Sequence, residues 1–398
     1  MERRPNIVIF MADQLRADAL APFVPNPAAR KTAHTPVLDE LAKSSTLFTD
    51  AHVQHPVCGP SRVSMMTGWY PHVHGHRTLT NLLKPWQPNM LRIARDAGYN
   101  VCFAGRRGDV FAPGVTESST DVSGWLVKPR HGFTTSTYPI GSPEWSAMLI
   151  GRRDHDPADG PVLDFDEACI RTAEQWLKDG PKSPWMLFIP LLFPHPPFEV
   201  EDPWFSLHQA GDLPTRLGPQ VGKPAFHEAL RATKHFDEMS EASWQHIQRT
   251  YFGMVSRVDS QLGRVMQSVE RLGAAESTVT VFCSDHGEYA GDFNLVEKWP
   301  SGLDRSLTRT PLIIHDPRHS GGVVGQPTEL VDVLPTLVEL GDMELKHTHF
   351  GRSLVPLLAD PTCVHRTFAV TEGGFRVGDV DLLEEPIPGP RSESTTAT

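Results

Sequence analysis

Residues 55–76 read HPVCGPSRVSMMTGWYPHVHGH, in which a single thiol, Cys58, is followed at once by Gly59, Pro60, Ser61 and Arg62 and then by an apolar run. Pro60 suits the first turn of a helix, and the free N–H groups and dipole at such a terminus favour an oxyanion beside position 58. Gly59 would let a substrate oxyanion approach the backbone closely. Arg62 lies one helical turn past Cys58, so its guanidinium can reach back to the same spot. Two further polar sets follow apolar runs: Asp13 and Gln14 after NIVIFMA, and Ser284-Asp285-His286-Gly287 after VTVFC. His195 sits in FPHPPF, held by three prolines, and an imidazole with an ordinary pKa near 6.5 suits proton transfer at neutral pH. His72, His74 and His76 alternate as on an extended segment and would point to one side, where lining a pocket and binding zinc are both open.

These residues need a frame that brings them together. The runs IVIFM, VCFA (101–104), WMLFIPLLF (185–193), VTVFC (279–283) and PLIIH (311–315) are apolar without alternation, as strands buried on both faces are. Between them lie helical patterns: TPVLDELAKSS, PNMLRIARDAG, DFDEACIRTAEQWLKDG and the long EASWQHIQRTYFGMVSRVDSQLGRVMQSVERLG. Strands alternating with helices imply an α/β fold with a mostly parallel central sheet and helices on both faces. In such sheets the polar residues that follow strand carboxyl ends collect on one rim, which places Asp13, His195 and Asp285 together. Residues 106–165 and 199–240 are rich in Gly, Pro, Asp and Trp and read as excursions over that rim. The periodicity fades after Leu358, so we divide the chain into a catalytic domain, 1–358, and a short C-terminal appendage, 359–398, ending in a disordered Pro/Ser/Thr-rich tail.

Composition narrows the function classes. The 398 residues carry a formal net charge of -11 without a dense Lys/Arg block, which excludes the electrostatic footprint of a nucleic-acid binder. Cys58, Cys102, Cys169, Cys283 and Cys363 are scattered without CxxC spacing, against a disulfide framework or a structural zinc site and in favour of a reducing compartment. The apolar run from Ile7 to Ala12 is too short for a signal-peptide core or a membrane span, so a cytoplasmic location and no membrane partner are expected.

CGPSR resembles the C-x-P-S-R signature of the formylglycine (type I) sulfatases of the alkaline phosphatase superfamily. The resemblance is carried over roughly residues 5 to 357 by NIVIFMADQLRAD, the block from TPVLDELAKSS to HVHGH, PHPPF, VDSQLGRV and VFCSDHGEYAGDFNLVEKW. It implies an alkaline-phosphatase-like fold and hydrolysis of a sulfate monoester, such as a sugar or aryl sulfate. It also implies that a separate formylglycine-generating enzyme oxidises Cys58, and that the hydrated aldehyde attacks sulfur with the help of one divalent cation. By the same resemblance Asp13, Gln14, Asp285 and His286 hold that cation, with Ca²⁺ expected first and Mn²⁺ or Mg²⁺ as alternatives. His195 becomes an oxyanion contact or leaving-group acid, Lys298 a ligand of the ester oxyanion, and His74, His76 and Asn81 candidate substrate contacts.

Two departures bear on the reaction. Gln14 stands where many members have a second Asp, as in the choline-sulfatase and phosphonate monoester hydrolase branches. Arg106 stands where a G-K-x-H signature has its Lys, and the following His is missing. Arg106 can bind an oxyanion but cannot donate a proton, which leaves the base for sulfate elimination to His195 or one of His72 to His76. Hydrolysis of a phosphonate monoester or phosphodiester on the same site is the alternative activity, and an inactive anion-binding homologue a second alternative. A short C-terminal region would also leave a sheet edge for a second copy to cover, so a homo-oligomer is an open expectation.

Overall fold

The computed structural model describes residues 4–26, 30–105 and 109–374. Arg106 and the tail beyond Gly374 lie outside the described residues. The central sheet has eight strands: β1 (Asn6–Ala12), β2 (Thr46–Phe48), β3 (Asn100–Ala104), β4 (Val122–Gly124), β5 (Trp185–Pro190), β6 (Thr278–Ser284), β7 (Leu312–His315) and β8 (Gly322–Val324). Their spatial order is β8-β2-β7-β6-β1-β5-β3-β4. β1 lies between β5 and β6, parallel to both, with Ile9 opposite Phe188 on one side and Val281 on the other.

Seven strands run one way and β7 runs against them, paired antiparallel to both β6 and β2. The apolar run at 311–315 gives no hint of this direction. It follows β6 through the loop 285–311 rather than through a long crossover helix, and parallel pairing needs such a crossover.

The sheet is covered on both faces, as its unbroken apolar strands require. Alternation divides β1 between two cores: Val8, Phe10 and Ala12 pack on one side, Ile7, Ile9 and Met11 on the other. The first face is covered by α1 (Pro36–Lys43), α4 (Phe165–Lys178) and α5 (Glu241–Arg271); the second by α2 (Cys58–Thr67), α3 (Met90–Asp96) and α6 (Val333–Leu340). Each fully buried Leu, Ile, Val or Phe in these cores stabilises the fold by about 1.5–3 kcal/mol relative to exposure.

Helix starts follow their capping residues. The side chains of Asn89, Asp164 and Ser240 accept from the backbone N–H three residues on, at 3.0, 3.0 and 3.1 Å. α2 differs: Val57 precedes it and no side chain caps its first turn, so that turn's N–H groups are left for whatever lies beside Cys58.

Three readings from the sequence change. WMLFIPLLF is a strand only to Pro190, after which Leu192 and Phe193 turn their N–H groups onto the buried Asp166 carboxylate, 2.6 and 2.8 Å away. The excursion 106–165 also supplies β4 at the sheet edge, and its segment Leu149–Arg152 pairs in parallel with Phe198–Val200. The histidine triplet is not extended, because Pro71 starts a helical turn, Pro71–His74, that Gly75 closes at a φ of 72°. His72 therefore pairs with Glu372, His74 lies on the Trp69 ring, and His76 meets the Asn81 carbonyl. Beyond Leu358 the chain returns to the body: Thr371 Oγ1 donates to the Val53 carbonyl at 2.6 Å and the Glu372 N–H to that of Gln54 at 2.9 Å. No described helix is long and apolar enough to cross a membrane.

Candidate active site

The carboxyl ends of β1 and β6, neighbours in the sheet, set Asp13 and Asp285 side by side. Asp285 is fixed by its surroundings: its Oδ1 accepts the N–H of Gln14 at 3.1 Å and of His286 at 2.9 Å, and Ser61 Oγ donates to its carbonyl at 2.5 Å. α2 enters from the second face and brings Cys58 to the same point. The Cys58 Sγ is 3.2 Å from His286 Nε2 and 3.8 Å from Asp13 Oδ1. Ligand-capable atoms of Asp13, Cys58, Asp285 and His286 all lie within 4.8 Å of one another, and all four residues are buried.

Arg62 crosses beneath this group. Its Nε donates to Asp285 Oδ2 at 2.7 Å, one terminal nitrogen to Asp13 Oδ2 at 2.9 Å and the other to Asp109 at 3.3 Å. Its fork engages Asp13 and Asp285, the carboxylates that stand beside position 58. Gly59 is reread: a Cβ there would meet the Asp109 carbonyl oxygen at 2.8 Å, so the glycine admits the protein's own chain.

The donor set fits a hard divalent cation. Asp13, Asp285 and Asp109 place three carboxylates around one guanidinium, leaving negative charge in a dry place. The His286 Nδ1 donates to the Gly287 carbonyl at 3.0 Å, which leaves the Nε2 lone pair facing Asp13 and Cys58. Gln14 supplies a further oxygen: its Nε2 donates to Glu288, while its Oε1 is buried without a partner. Gln14 is held at a φ of 66°, left-handed backbone that is costly for a residue with a side chain and is concentrated at functional sites.

A second group flanks the thiol. The His195 Nδ1 donates to the Pro196 carbonyl, so its Nε2 accepts, and Lys298 Nζ lies 2.6 Å from that atom. Lys298 Nζ also reaches Glu297 Oε2 at 3.2 Å. Burial, then the charge of Asp13, push the Cys58 thiol up to about 12 against the opposing pull of Lys298 and His195.

The weaker candidates are held in or beside the loop that follows Gly75, whose residues Thr78 and Leu79 adjoin Gly59. His76 Nδ1 bonds the Asn81 carbonyl at 2.5 Å and Asn81 Nδ2 the Gly75 carbonyl at 2.7 Å, so both close the loop after Gly75. His74 packs on Trp69. Residues not singled out in the sequence are Asp109, Glu288, Glu297 and His55. Glu288 and Glu297 stand inside the block that ends at Trp299, but nothing in their type separates them from surface carboxylates. His55, three residues before Cys58, is fully buried with its Nε2 3.2 Å from the Gly374 carbonyl.

A mostly parallel α/β sheet with a carboxylate, amide and imidazole cluster at its carboxyl rim and a helix-start cysteine within it defines an alkaline-phosphatase-type hydrolase. The Sulfatase family profile matches residues 5–343, and the chain belongs to that family of sulfuric ester hydrolases. It is 27% identical to the multifunctional alkaline phosphatase superfamily protein PehA of Trinickia caryophylli, over 90% of this chain and 77% of that protein. It is 26% identical to the choline-sulfatase of Rhizobium meliloti, over 89% of this chain and 72% of the relative. Among solved structures, the phosphonate monoester hydrolase of Agrobacterium radiobacter shares the fold with a TM-score of 0.70, at 22% identity over 90% of this chain and 78% of that one.

Proposed function

We propose that the chain hydrolyses sulfate monoesters of small alcohols, sugars or phenols, with Cys58 as the precursor of formylglycine and one divalent cation. The observation that carries this reading is the Cys58 thiol itself. It stands at the uncapped start of α2, 3.2 Å from His286 Nε2, with a pKa pushed up to about 12. A thiol offers a single nucleophilic atom, whereas the aldehyde hydrate derived from it supplies a hydroxyl for attack and a second one for release of the anion.

Asp13, Gln14, Asp285 and His286 would hold the cation, Ca²⁺ by preference for an oxygen-rich set, with Mn²⁺ and Mg²⁺ also accommodated by such donors. When bound, it would stabilise negative charge developing beside residue 58. Arg62 keeps the two aspartates apart and oriented. His195 and Lys298 hold a proton between Nε2 and Nζ at the flank of position 58, where a leaving alkoxide can take it and where a base is needed to release the anion. That assignment makes His195 the substitute for the absent G-K-x-H histidine, since His74 and His76 are engaged in their own loop.

A second reading is hydrolysis of phosphonate monoesters or phosphodiesters, which are monoanions like sulfate monoesters and suit the same site. The resemblance to PehA, named as multifunctional, is in keeping with it. Mass spectrometry of the Cys58 peptide, after co-expression with a formylglycine-generating enzyme, tests the common part. The peptide is expected to lose the mass of H₂S and gain that of O, and an unmodified thiol under those conditions overturns the reading. Relative kcat/KM on p-nitrophenyl sulfate and on p-nitrophenyl phosphonate or phosphodiesters then ranks the two activities.

A further inference from the structure

A cavity of about 270 Å³ opens beside the helical turn Arg305–Thr308, lined among the described residues by Asp18, Pro25, Arg30, Arg305, Ser306 and Arg309. Three guanidinium groups thus face one carboxylate, and that carboxylate is already taken. Both Asp18 oxygens accept from Arg16, at 2.5 and 3.0 Å, and Arg30 shares one of them at 3.1 Å. Arg16 also pairs with Asp292 at 2.7 Å, and Arg305 leans outward onto Asp50 at 2.6 Å. Arg309 donates to the carbonyls of Thr49 and Phe23, at 3.2 and 3.4 Å. Among the described residues four cations around the cavity therefore meet three anions, a local excess of positive charge in a chain whose net charge is -11. Burial, before any neighbouring charge, lowers Arg30 and Arg309 from the ordinary guanidinium value. The Ser306 hydroxyl is buried with no hydrogen-bond partner.

We infer that this cavity binds a tetrahedral oxyanion, sulfate or phosphate, through the forks of Arg30, Arg305 and Arg309. Convergent guanidinium forks match the paired oxygens of such anions better than they match a halide. The site is separate from the catalytic centre and does not depend on the activity proposed above. The Gly287 N–H donates to the Leu307 carbonyl at 2.8 Å and the Glu288 N–H to that of Ser306 at 3.0 Å, so two backbone segments stand between the cavity and the metal-ligand set. The occupant is accordingly a free inorganic anion rather than the far end of an ester held at Cys58. The same two bonds join the floor of the cavity to the residues that follow His286, a direct route by which the anion can bear on the catalytic turn.

The test uses the full chain, with inorganic sulfate and, for location, selenate as its anomalous-scattering analogue. Sulfate at constant ionic strength against chloride is expected to raise the melting temperature of the wild type and of Cys58→Ala/Lys298→Ala. The Arg30→Ala/Arg305→Ala variant is expected to bind sulfate at the cavity about tenfold or more weakly, while keeping p-nitrophenyl sulfate hydrolysis and its fold by circular dichroism. Arg309 is left intact because it supports two backbone carbonyls. Selenate-soaked crystals are expected to show an anomalous peak among the three arginines. The proposal is overturned if the double arginine variant responds to sulfate as the wild type does. Loss of all response in the Cys58/Lys298 variant overturns it equally. A selenate peak with no melting-temperature response marks an adventitious ion only.

Discussion

Lys298 Nζ lies 2.6 Å from His195 Nε2, although the two residues are 103 positions apart and reach the rim from different loops. Because the other imidazole nitrogen donates to Pro196, His195 Nε2 accepts from Lys298 Nζ beside Cys58. Lys298→Ala is expected to lower kcat/KM on an aryl sulfate by about 10²–10³-fold, the usual scale for one positioned acid or oxyanion donor. Lys298→Arg should restore little, since a guanidinium neither fits the same space nor gives up a proton. Steady-state kinetics, with melting temperatures to verify folding, decide it. Unchanged kcat/KM in Lys298→Ala would remove the pair from the reaction.

The parts of this arrangement that the sequence makes legible are those expressed as period or as local spacing. Unbroken apolar runs mark β1, β3, β5 and β6 as buried on both faces, and the polar residues after them, Asp13 and Asp285, meet as the parallel-sheet rule requires. The reversed β7 is not legible, because an apolar strand reads the same in either direction. Nor are Asp109 and Glu288. Their roles arise from the long-range meetings Arg62 with Asp109 and Gln14 with Glu288, which no local pattern records. The alternation of His72, His74 and His76 misleads because Pro71 and Gly75, punctuating the same five residues, favour a single helical turn.

Arg62 should be the most costly of the buried charges to remove. It is fully buried and bridges Asp13, Asp285 and Asp109, so Arg62→Ala leaves carboxylates without their cation. A loss of about 3–5 kcal/mol in unfolding free energy is expected, the scale for breaking a buried ion pair from one side. Added Ca²⁺ should return part of it. Chemical denaturation with and without Ca²⁺ measures both, and a variant as stable as the wild type without metal would contradict the arrangement.

Gly287 is irreplaceable for a steric reason. A Cβ there would stand 1.9 Å from the Ser306 carbonyl oxygen and 2.8 Å from its carbon, a backbone group that cannot swing aside. Gly287→Ala is expected to cost on the order of 1–3 kcal/mol and to displace the turn carrying Asp285 and His286. Activity should therefore fall far more than melting temperature alone explains. A well-folded Gly287→Ala with wild-type kcat/KM would refute this.

Acid should destabilise the fold partly through His208, whose Nε2 is 2.9 Å from Ser256 Oγ and whose pKa burial lowers to about 4. A folded-state value below the unfolded one, about 6.5, means that the stabilisation is complete above that pH and disappears as pH falls through about 4. His208→Gln keeps a hydrogen-bonding group near the same place without the ionisation. Its melting temperature should fall less steeply than the wild type's across that interval. Identical slopes for the two proteins would exclude His208 as a contributor.

Gln14 separates a metal role from a structural one. Its Oε1 is buried without a partner while its Nε2 is engaged by Glu288, so the free oxygen is what a cation would use and the amide nitrogen is what orients it. Gln14→Ala removes both and should weaken divalent-cation affinity by about 10–100-fold, the scale for losing one ligand or its support. Gln14→Glu behaves differently. It places a carboxylate against Glu288, whose own pKa is raised by burial and by Glu297, and should be less stable than the wild type when no cation is present. Added Ca²⁺ should then stabilise Gln14→Glu by more than it stabilises the wild type, because the new carboxylate can turn to the ion. Calorimetric Ca²⁺ titration and metal-dependent melting temperatures read this without any activity assay. If Ca²⁺ shifts the wild type, Gln14→Ala and Gln14→Glu alike, Gln14 is not a ligand and its strained backbone serves only the turn after β1.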